Sequence, residues 1–231
     1  MLKAIIFDLD GVIVDSQKAH KNAWRCLLES LGREVSDADL DFVMEGRKRH
    51  EILHYFFGEL SPEQVQEYGS AKQELFRRFA AQLRPIAGVL EFVTEAKQRG
   101  LPMGVATCAG RRRAHEMLER FGLTSSFAAV VTGDDVAAGK PDPAVFQMTA
   151  RQLAISPENI LVCEDAVAGV EAAKRAAMKC LAICANRKAN QLRQAGADLV
   201  AEDFRRLRVE HVQALLSTVQ AESTSGVNPR S

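Results

Sequence analysis

Five short, continuous apolar runs constrain the fold of this chain more strongly than any other feature. They lie at residues 3–7, 103–106, 128–131, 160–163 and 180–183, and helical segments such as 90–99 and 111–121, each followed by a glycine, separate most of them. Continuous hydrophobicity is typical of strands that are buried on both faces of a parallel sheet. The alternation predicts an α/β fold with a doubly wound, Rossmann-like parallel sheet.

Residues 16–85 interrupt the alternation and contain no clear strand pattern. Apolar residues from Ala19 to Leu31 recur at helical spacing, and residues 61–64 have the sequence of a capping box with a proline at the first helical position. We expect two domains, a core of residues 1–15 and 86–220 and an inserted, all-helical cap of residues 16–85. Residues 221–231 are polar and contain Gly and Pro, so a disordered tail is expected.

The composition argues against several classes of partner. Thirty basic and thirty acidic side chains cancel, so no overall field attracts nucleic acid or an anionic membrane. No apolar run approaches the roughly 20 residues of a membrane span, and the N-terminal residues lack a leader pattern. Five cysteines without a C-x-x-C pair predict reduced thiols rather than a disulfide framework or a zinc site. We expect a cytoplasmic protein, monomeric or a small homo-oligomer, that acts on a small molecule.

Polar side chains follow four of the apolar runs. In chain order they are Asp8 and Asp10, then Thr107, then Lys140, then Glu164 and Asp165. Ligands of open parallel sheets bind outside the carboxyl ends of the strands. These side chains, although far apart in sequence, are therefore expected to meet at one edge of the sheet.

This set of side chains is suited to phosphoryl transfer. A carboxylate such as Asp8 can attack phosphorus and form an aspartyl-phosphate, and a second acid at Asp10 can protonate the leaving alcohol and later activate water. Clustered carboxylates require an oxygen-preferring dication, for which Mg²⁺ is the usual choice. A lysine and a hydroxyl can then hold the remaining phosphoryl oxygens.

The motifs resemble those of a known family. Asp8-x-Asp10-Gly11-Val12-x-x-Asp15-Ser16, followed by Thr107, Lys140-Pro141 and Glu164-Asp165, is similar to the four motifs of the haloacid dehalogenase-like superfamily, and the resemblance extends over residues 3–207. The helical insertion after the first strand resembles the branch with a small helical cap. That branch contains β-phosphoglucomutase and many sugar-phosphate phosphatases.

The resemblance implies a role for each motif residue. Asp8 would be the nucleophile and Asp10 the general acid and base, and an aspartate at position 10 favours phosphate esters over haloacids. Thr107 and Lys140 would bind phosphate. Magnesium would be held by Asp8, the backbone carbonyl of Asp10 and Asp165, with Glu164 close by. One departure is Cys108 in the second motif, where Asn or Ser is frequent, so this phosphate-site position offers a weak thiol donor.

The cap contributes further candidates by the same resemblance. His20, Gly46, Arg49 and Lys72 match or lie near substrate-contacting positions of the β-phosphoglucomutase-like branch, whereas Glu45 replaces a lysine of the mutase loop. A basic stretch at residues 47–50 is alternatively a solvated face. Three consecutive arginines at residues 111–113 begin a core helix. We expect them to be solvated, and a position at the border of the site is the alternative.

Three functions are compatible with these residues. The leading prediction is a Mg²⁺-dependent phosphatase of a small phosphomonoester. A sugar-phosphate mutase would use the same first step but exclude water from the phosphoaspartate until the sugar returns. A phosphoacceptor signalling module is the remote alternative, because receiver domains carry similar residues, although in a different order along the chain and without a helical insert.

Overall fold

The computed structural model describes residues 2–44, 47–185 and 188–214. Six strands form one parallel sheet in the order β3-β2-β1-β4-β5-β6. They are β1 (Ala4–Phe7), β2 (Met103–Ala106), β3 (Ala129–Val131), β4 (Ile160–Glu164), β5 (Lys179–Ile183) and β6 (Leu199–Ala201). The predicted α/β class is confirmed. Strand β6 was not predicted, because a half-buried edge strand of three residues leaves almost no pattern in the sequence.

The helices that follow the insertion alternate with the strands, as predicted. The helices of the described residues are α1 (Gln17–Ser30), α2 (Asp37–Val43), α3 (Arg49–Phe57), α4 (Pro62–Ala80), α5 (Val89–Gln98), α6 (Arg111–Arg120), α7 (Ala144–Leu153), α8 (Val167–Arg175) and α9 (Ala189–Gln194). Helices α5 to α9 alternate with the strands, and their apolar faces cover the sheet.

The sheet is buried on both faces, which explains its continuous apolar strands. In β1, Ile5 and Phe7 enter the apolar cluster on one face, while Ala4 and Ile6 enter the cluster on the other. Successive side chains of a strand point to opposite faces, so both sets must be apolar when helices cover both faces.

Helices α1 to α4 all lie within the segment predicted to be a cap. They share an apolar cluster of their own, which includes Trp24, Leu28, Leu40 and Leu53. The predicted capping box at α4 is confirmed, since the Ser61 hydroxyl accepts a hydrogen bond from the Gln64 amide. The division of the chain into two domains remains a prediction.

Two connecting segments join these helices to the sheet, and they lie side by side. Asp15 donates its amide to the Arg84 carbonyl at 2.9 Å, and Ile86 donates to the Ile13 carbonyl at 3.0 Å. The start and end of the helical insertion are therefore adjacent.

In the described part of the chain, no helix is both long enough and apolar enough to span a bilayer. The predicted tail, residues 221–231, lies outside the described residues.

Candidate active site

The site lies where the order of the strands reverses. Chain connections run outwards in opposite directions from β1 and β4, which are neighbours in the sheet. Such a reversal leaves a crevice at the carboxyl ends of the two strands, where open α/β sheets bind ligands. Asp8 directly follows β1, Glu164 is the last residue of β4, and Asp165 follows it. The strand topology thus brings these three carboxylates together.

Lys140 lies between two of these carboxylates. Its Nζ donates to Asp8 Oδ1 at 2.6 Å and also to Glu164 Oε1, and it lies 3.3 Å from the carbonyl oxygen of Ala106. Burial lowers the pKa of this ammonium, but Asp8 and Glu164 outweigh burial and raise it above its usual value. Lys140 is therefore a fixed, buried positive charge beside Asp8.

Glu164 uses both oxygens inside the protein. One binds Lys140, and the other, Oε2, accepts hydrogen bonds from the amides of Asp165 and Ala166 at 2.8 and 3.0 Å. Glu164 is buried. These contacts orient Lys140 and the chain that leads into α8.

Three buried carboxylates, those of Asp8, Glu164 and Asp165, share the single positive charge of Lys140. Burial, followed by the neighbouring carboxylates Glu164 and Asp10, raises the pKa of Asp8 to about 7 although Lys140 lowers it. Burial, followed by Glu164 and Asp8, also raises the pKa of Asp165 well above its usual value. A bound divalent cation would stabilise the ionised forms of both groups.

The contacts of Asp10 differ from those of Asp8. Asp10 Oδ1 accepts hydrogen bonds from the Ser16 hydroxyl at 2.6 Å and from Arg113 Nη1 at 2.8 Å, and His20 Nε2 lies 3.2 Å away. Arg113 Nη2 donates to Asp10 Oδ2. Burial raises the pKa of Asp10, but Arg113 and then His20 outweigh burial and hold that pKa well below its usual value. In this structure Asp10 is therefore a carboxylate.

Arg113 corrects the prediction that all three arginines of residues 111–113 are solvated. Its side chain is 9% exposed, compared with 61% for Arg111 and 69% for Arg112. Consecutive residues of a helix point about 100° apart, so only one of the three can face the site. Nothing in the run of arginines distinguishes Arg113 before the orientation of α6 is known.

The second motif contributes one oriented hydroxyl. Thr107 follows β2 and is buried, and its Oγ1 accepts a hydrogen bond from the Ala109 amide at 3.1 Å. Because that bond uses a lone pair, the hydroxyl proton remains available for a phosphate oxygen. Burial raises the pKa of the neighbouring Cys108 thiol, so Cys108 is present there as a neutral thiol.

Two nitrogen-bearing side chains of the cap lie near Asp10, and burial lowers the pKa of one of them, Lys72, well below its usual value. Lys72 Nζ lies 2.7 Å from His20 Nδ1 and faces the rings of Trp24 and Phe76. A protonated lysine can only donate, so His20 then carries its proton on Nε2, towards Asp10. Burial, and then Lys72, lower the pKa of His20 to about 3, so the imidazole is neutral.

These residues enclose a cavity of about 130 Å³ between the sheet and the cap helices. Almost all of the predicted site residues line it, namely Asp8, Asp10, His20, Arg49, Lys72, Thr107, Cys108, Lys140, Glu164 and Asp165. Gly46 and Glu45 lie outside the described residues. Trp24 is buried and also forms part of the cavity wall.

Gln17 also contacts the site, and it was not predicted from the sequence. Its Nε2 donates to Asp165 Oδ2 at 2.6 Å, so the first residue of α1 touches a carboxylate at the end of β4. A single glutamine carries no motif, and no sequence signal identifies it.

The chain is similar to known proteins in sequence and in fold. A model of the haloacid dehalogenase-like hydrolase family matches residues 5–183. A phosphorylated carbohydrates phosphatase of Thermotoga maritima is 33% identical over 180 residues, which cover 77% of this chain and 83% of that protein. The β-phosphoglucomutase of Bacillus subtilis is 30% identical over 218 residues, which cover 90% and 93%. A crystal structure of β-phosphoglucomutase from Clostridium difficile has the same fold, with a TM-score of 0.86, 23% identity, and coverage of 96% and 100%.

Proposed function

The chain belongs to the haloacid dehalogenase-like hydrolase family, and on that premise we propose that it is a Mg²⁺-dependent phosphatase of a small phosphorylated metabolite. The observation that carries the proposal is the convergence of Asp8, Lys140 and Asp165 at the reversal point of the sheet. The phosphatase from Thermotoga maritima supports a phosphorylated carbohydrate as the substrate class.

Asp8 is the proposed nucleophile. Its Oδ1 is bound to Lys140, while Oδ2 accepts no hydrogen bond from the described residues and so keeps its lone pairs for attack. Attack by Asp8 forms a bond to phosphorus, and the bond from phosphorus to the alcohol oxygen breaks. Water then attacks the aspartyl-phosphate and releases phosphate.

Asp10 is the proposed proton carrier. It gives a proton to the leaving alcohol in the first step and takes one from the attacking water in the second. The contacts with Arg113 and His20 favour the ionised form, which suits the second step. Entry of a phosphate dianion raises the affinity of Asp10 for a proton, because like charges repel, and this supports the first step.

The transferred phosphoryl group requires positive charge and donors on its remaining oxygens. Lys140 and the free proton of the Thr107 hydroxyl are the proposed donors, and the Cys108 thiol adds a weaker contact. Because Glu164 anchors Lys140 from the other side, the ammonium is preorganised before substrate arrives.

The donor set fits Mg²⁺. Asp8 and Asp165 are buried carboxylates with raised pKa values, and all of the available donors are oxygens. The described residues contain no group of three or more acidic, His or Cys side chains placed to hold a metal ion. The proposed Mg²⁺ ligands are the carboxylates of Asp8 and Asp165 and the backbone carbonyl of Asp10. Magnesium would supply charge neutralisation between Asp8 and the phosphate.

The cap residues are proposed to bind the rest of the substrate. His20, Arg49 and Lys72 line the cavity from its cap side, so an anionic or hydroxyl-rich group is favoured there. The contact of His20 with Asp10, together with the similarity to β-phosphoglucomutase, favours a mutase as the second candidate.

The test is phosphate release with Mg²⁺ from a panel of sugar phosphates. One well holds β-glucose 1-phosphate with glucose 1,6-bisphosphate and is assayed for glucose 6-phosphate. Release of free phosphate that is lost in Asp8→Asn supports the phosphatase. Isomerised sugar phosphate with little free phosphate would replace the proposal by the mutase, and no turnover of any ester would overturn both.

A further inference from the structure

The side chain of Arg113 is a buried cation of the core, and the proposed chemistry involves it only through its contact with Asp10. It extends from the first turn of α6 and lines the cavity together with Asp10. A buried charge requires a partner, and the partner of Arg113 is the Asp10 carboxylate. The two exposed arginines that precede it, Arg111 and Arg112, make their ion pairs away from Asp10, with Asp135 and Glu116.

The geometry of this pair determines how the Asp10 carboxylate is turned. Nη1 of Arg113 donates to Oδ1 and Nη2 donates to Oδ2, so the planar guanidinium aligns with the planar carboxylate. Ser16 and His20 both contact Oδ1. Among the described residues, only Arg113 donates a hydrogen bond to Oδ2. Oδ2 is therefore the oxygen with more unused lone pairs, and the hydrogen bonds from Arg113 set the direction in which Oδ2 points.

Arg113 is itself held in place by the cap. Its guanidinium carbon lies 5.2 Å from the centre of the Phe76 ring, and the same ring lies 4.4 Å from the imidazole of His20. Phe76 belongs to α4, so a residue of the helical insertion packs on the cation that orients Asp10. A lysine would keep the charge, but it could neither donate to both carboxylate oxygens at once nor stack a planar group on the Phe76 ring.

We propose that Arg113 is a positioning residue that turns the Asp10 carboxylate so that Oδ2 faces the leaving oxygen of the substrate. The inference rests on the proposed function, in which Asp10 carries protons to and from the reacting oxygens. Arg113 does not touch the phosphoryl group in this role and acts through Asp10.

The test compares Arg113→Lys and Arg113→Met with the exposed control Arg112→Met. Each variant is assayed with Mg²⁺ on 4-nitrophenyl phosphate, whose leaving group needs little protonation, and on phenyl phosphate, whose leaving group needs more. Wild type and Asp8→Asn are run in the same assay, and thermal melts verify folding. Arg113→Lys keeps the buried charge, so it tests the geometry if Arg113→Met does not fold.

We expect kcat on phenyl phosphate to fall about 10- to 100-fold in both Arg113 variants, the size of effect that a misplacement of roughly 1 Å can cause. The loss on 4-nitrophenyl phosphate should be smaller, KM should change little, and Arg112→Met should match wild type. Full activity of Arg113→Lys, an equal loss on the two esters, or a change confined to KM would overturn the inference while leaving the phosphatase proposal intact. An inactive wild type, or an active Asp8→Asn, would overturn the proposed function and this inference with it.

Discussion

Gly11 lies directly against the carboxylate of Asp165. A Cβ built on Gly11 would lie 1.9 Å from Asp165 Oδ2, and the backbone at Gly11 has φ +80°. The missing side chain therefore serves two purposes, because it permits the left-handed backbone and leaves the space that the carboxylate occupies. The loop after β1 and the end of β4 can approach each other only with glycine at this position.

Gly11→Ala is expected to displace Asp165 and weaken Mg²⁺ binding. The measurement is the rise in melting temperature on addition of Mg²⁺, which should shrink or vanish in the variant. Gly122→Ala is the matched control, because Gly122 has φ +68° and a Cβ there would meet no other described residue within 4 Å beyond its chain neighbours. That control should lose roughly 1–2 kcal/mol of stability from the left-handed backbone and keep the full response to Mg²⁺. An unchanged response in Gly11→Ala would contradict the assignment of Asp165.

Asp8→Asn is expected to abolish turnover while the protein stays folded, because the change removes the nucleophile with little change of shape. The measurement is phosphate release under saturating Mg²⁺, together with a thermal melt. Asp15→Asn, at an exposed aspartate seven residues along the same motif, should retain activity. Turnover by Asp8→Asn at the wild-type rate would exclude Asp8 as the nucleophile.

Lys140→Ala is expected to lower kcat by about 10²–10³, because it removes a preorganised charge from the phosphoryl oxygens. It should also destabilise the protein by about 3–5 kcal/mol, since Asp8 and Glu164 lose their buried partner. Both values are measurable by kinetics well below the melting temperature and by urea unfolding. Lys97→Ala, at an exposed lysine of α5, should change neither kcat nor stability. An unaltered kcat in Lys140→Ala would exclude Lys140 from the mechanism.

His20 should make the stability of the protein depend on pH on the acid side. Its pKa is about 3 in the folded protein against 6.5 ordinarily, because of burial and of Lys72. The unfolded chain therefore binds more protons between these values, so the stability provided by neutral His20 is complete above pH 6.5 and is lost as the pH falls towards 3. Urea unfolding at pH 7 and pH 4.5 should show a smaller loss for His20→Gln than for wild type. The exposed His211→Gln should behave as wild type, and equal losses in all three proteins would contradict a buried, neutral His20.

Gly69→Ala tests the placement of Arg49 in the cap. A Cβ on Gly69 of α4 would lie 2.5 Å from Arg49 Cδ, so the arginine must move away. Alanine favours the helix by up to about 1 kcal/mol over glycine, so we expect stability to be kept while KM for a sugar phosphate rises. In an Arg49→Ala background the same change should have no further effect on KM. An additional rise in that background would show that Gly69 acts by another route.

Several structural features were predictable from local sequence. The continuous apolar run at Ala4–Phe7 marks a strand covered on both sides, and Ser61 with Gln64 marks the start of a helix. Each prediction needs only a few neighbouring residues, because strand burial and helix capping are local in sequence. The edge strand Leu199–Ala201 was not predicted, because it is short and half-buried.

Contacts across the molecule were not predictable in the same way. Gln17 reaches Asp165 and Lys48 reaches the carbonyl of Ala137, and each pair joins the helical insertion to the sheet. Nothing in a glutamine or a surface-type lysine indicates such a partner. Those contacts depend on how the cap helices are placed over the core.

By itself, the sequence indicated a phosphate-ester chemistry and the residues that we propose to carry it. Parallel strands end at one edge, so Asp8, Lys140 and Asp165 had to converge once their strands and loops were recognised. Only the tertiary structure decided which of three adjacent arginines is buried against Asp10. The reason is physical: a helix turns about 100° with each residue, so the partner of Arg113 is set by the rotation of α6 against the sheet and by the packing of Phe76 above it.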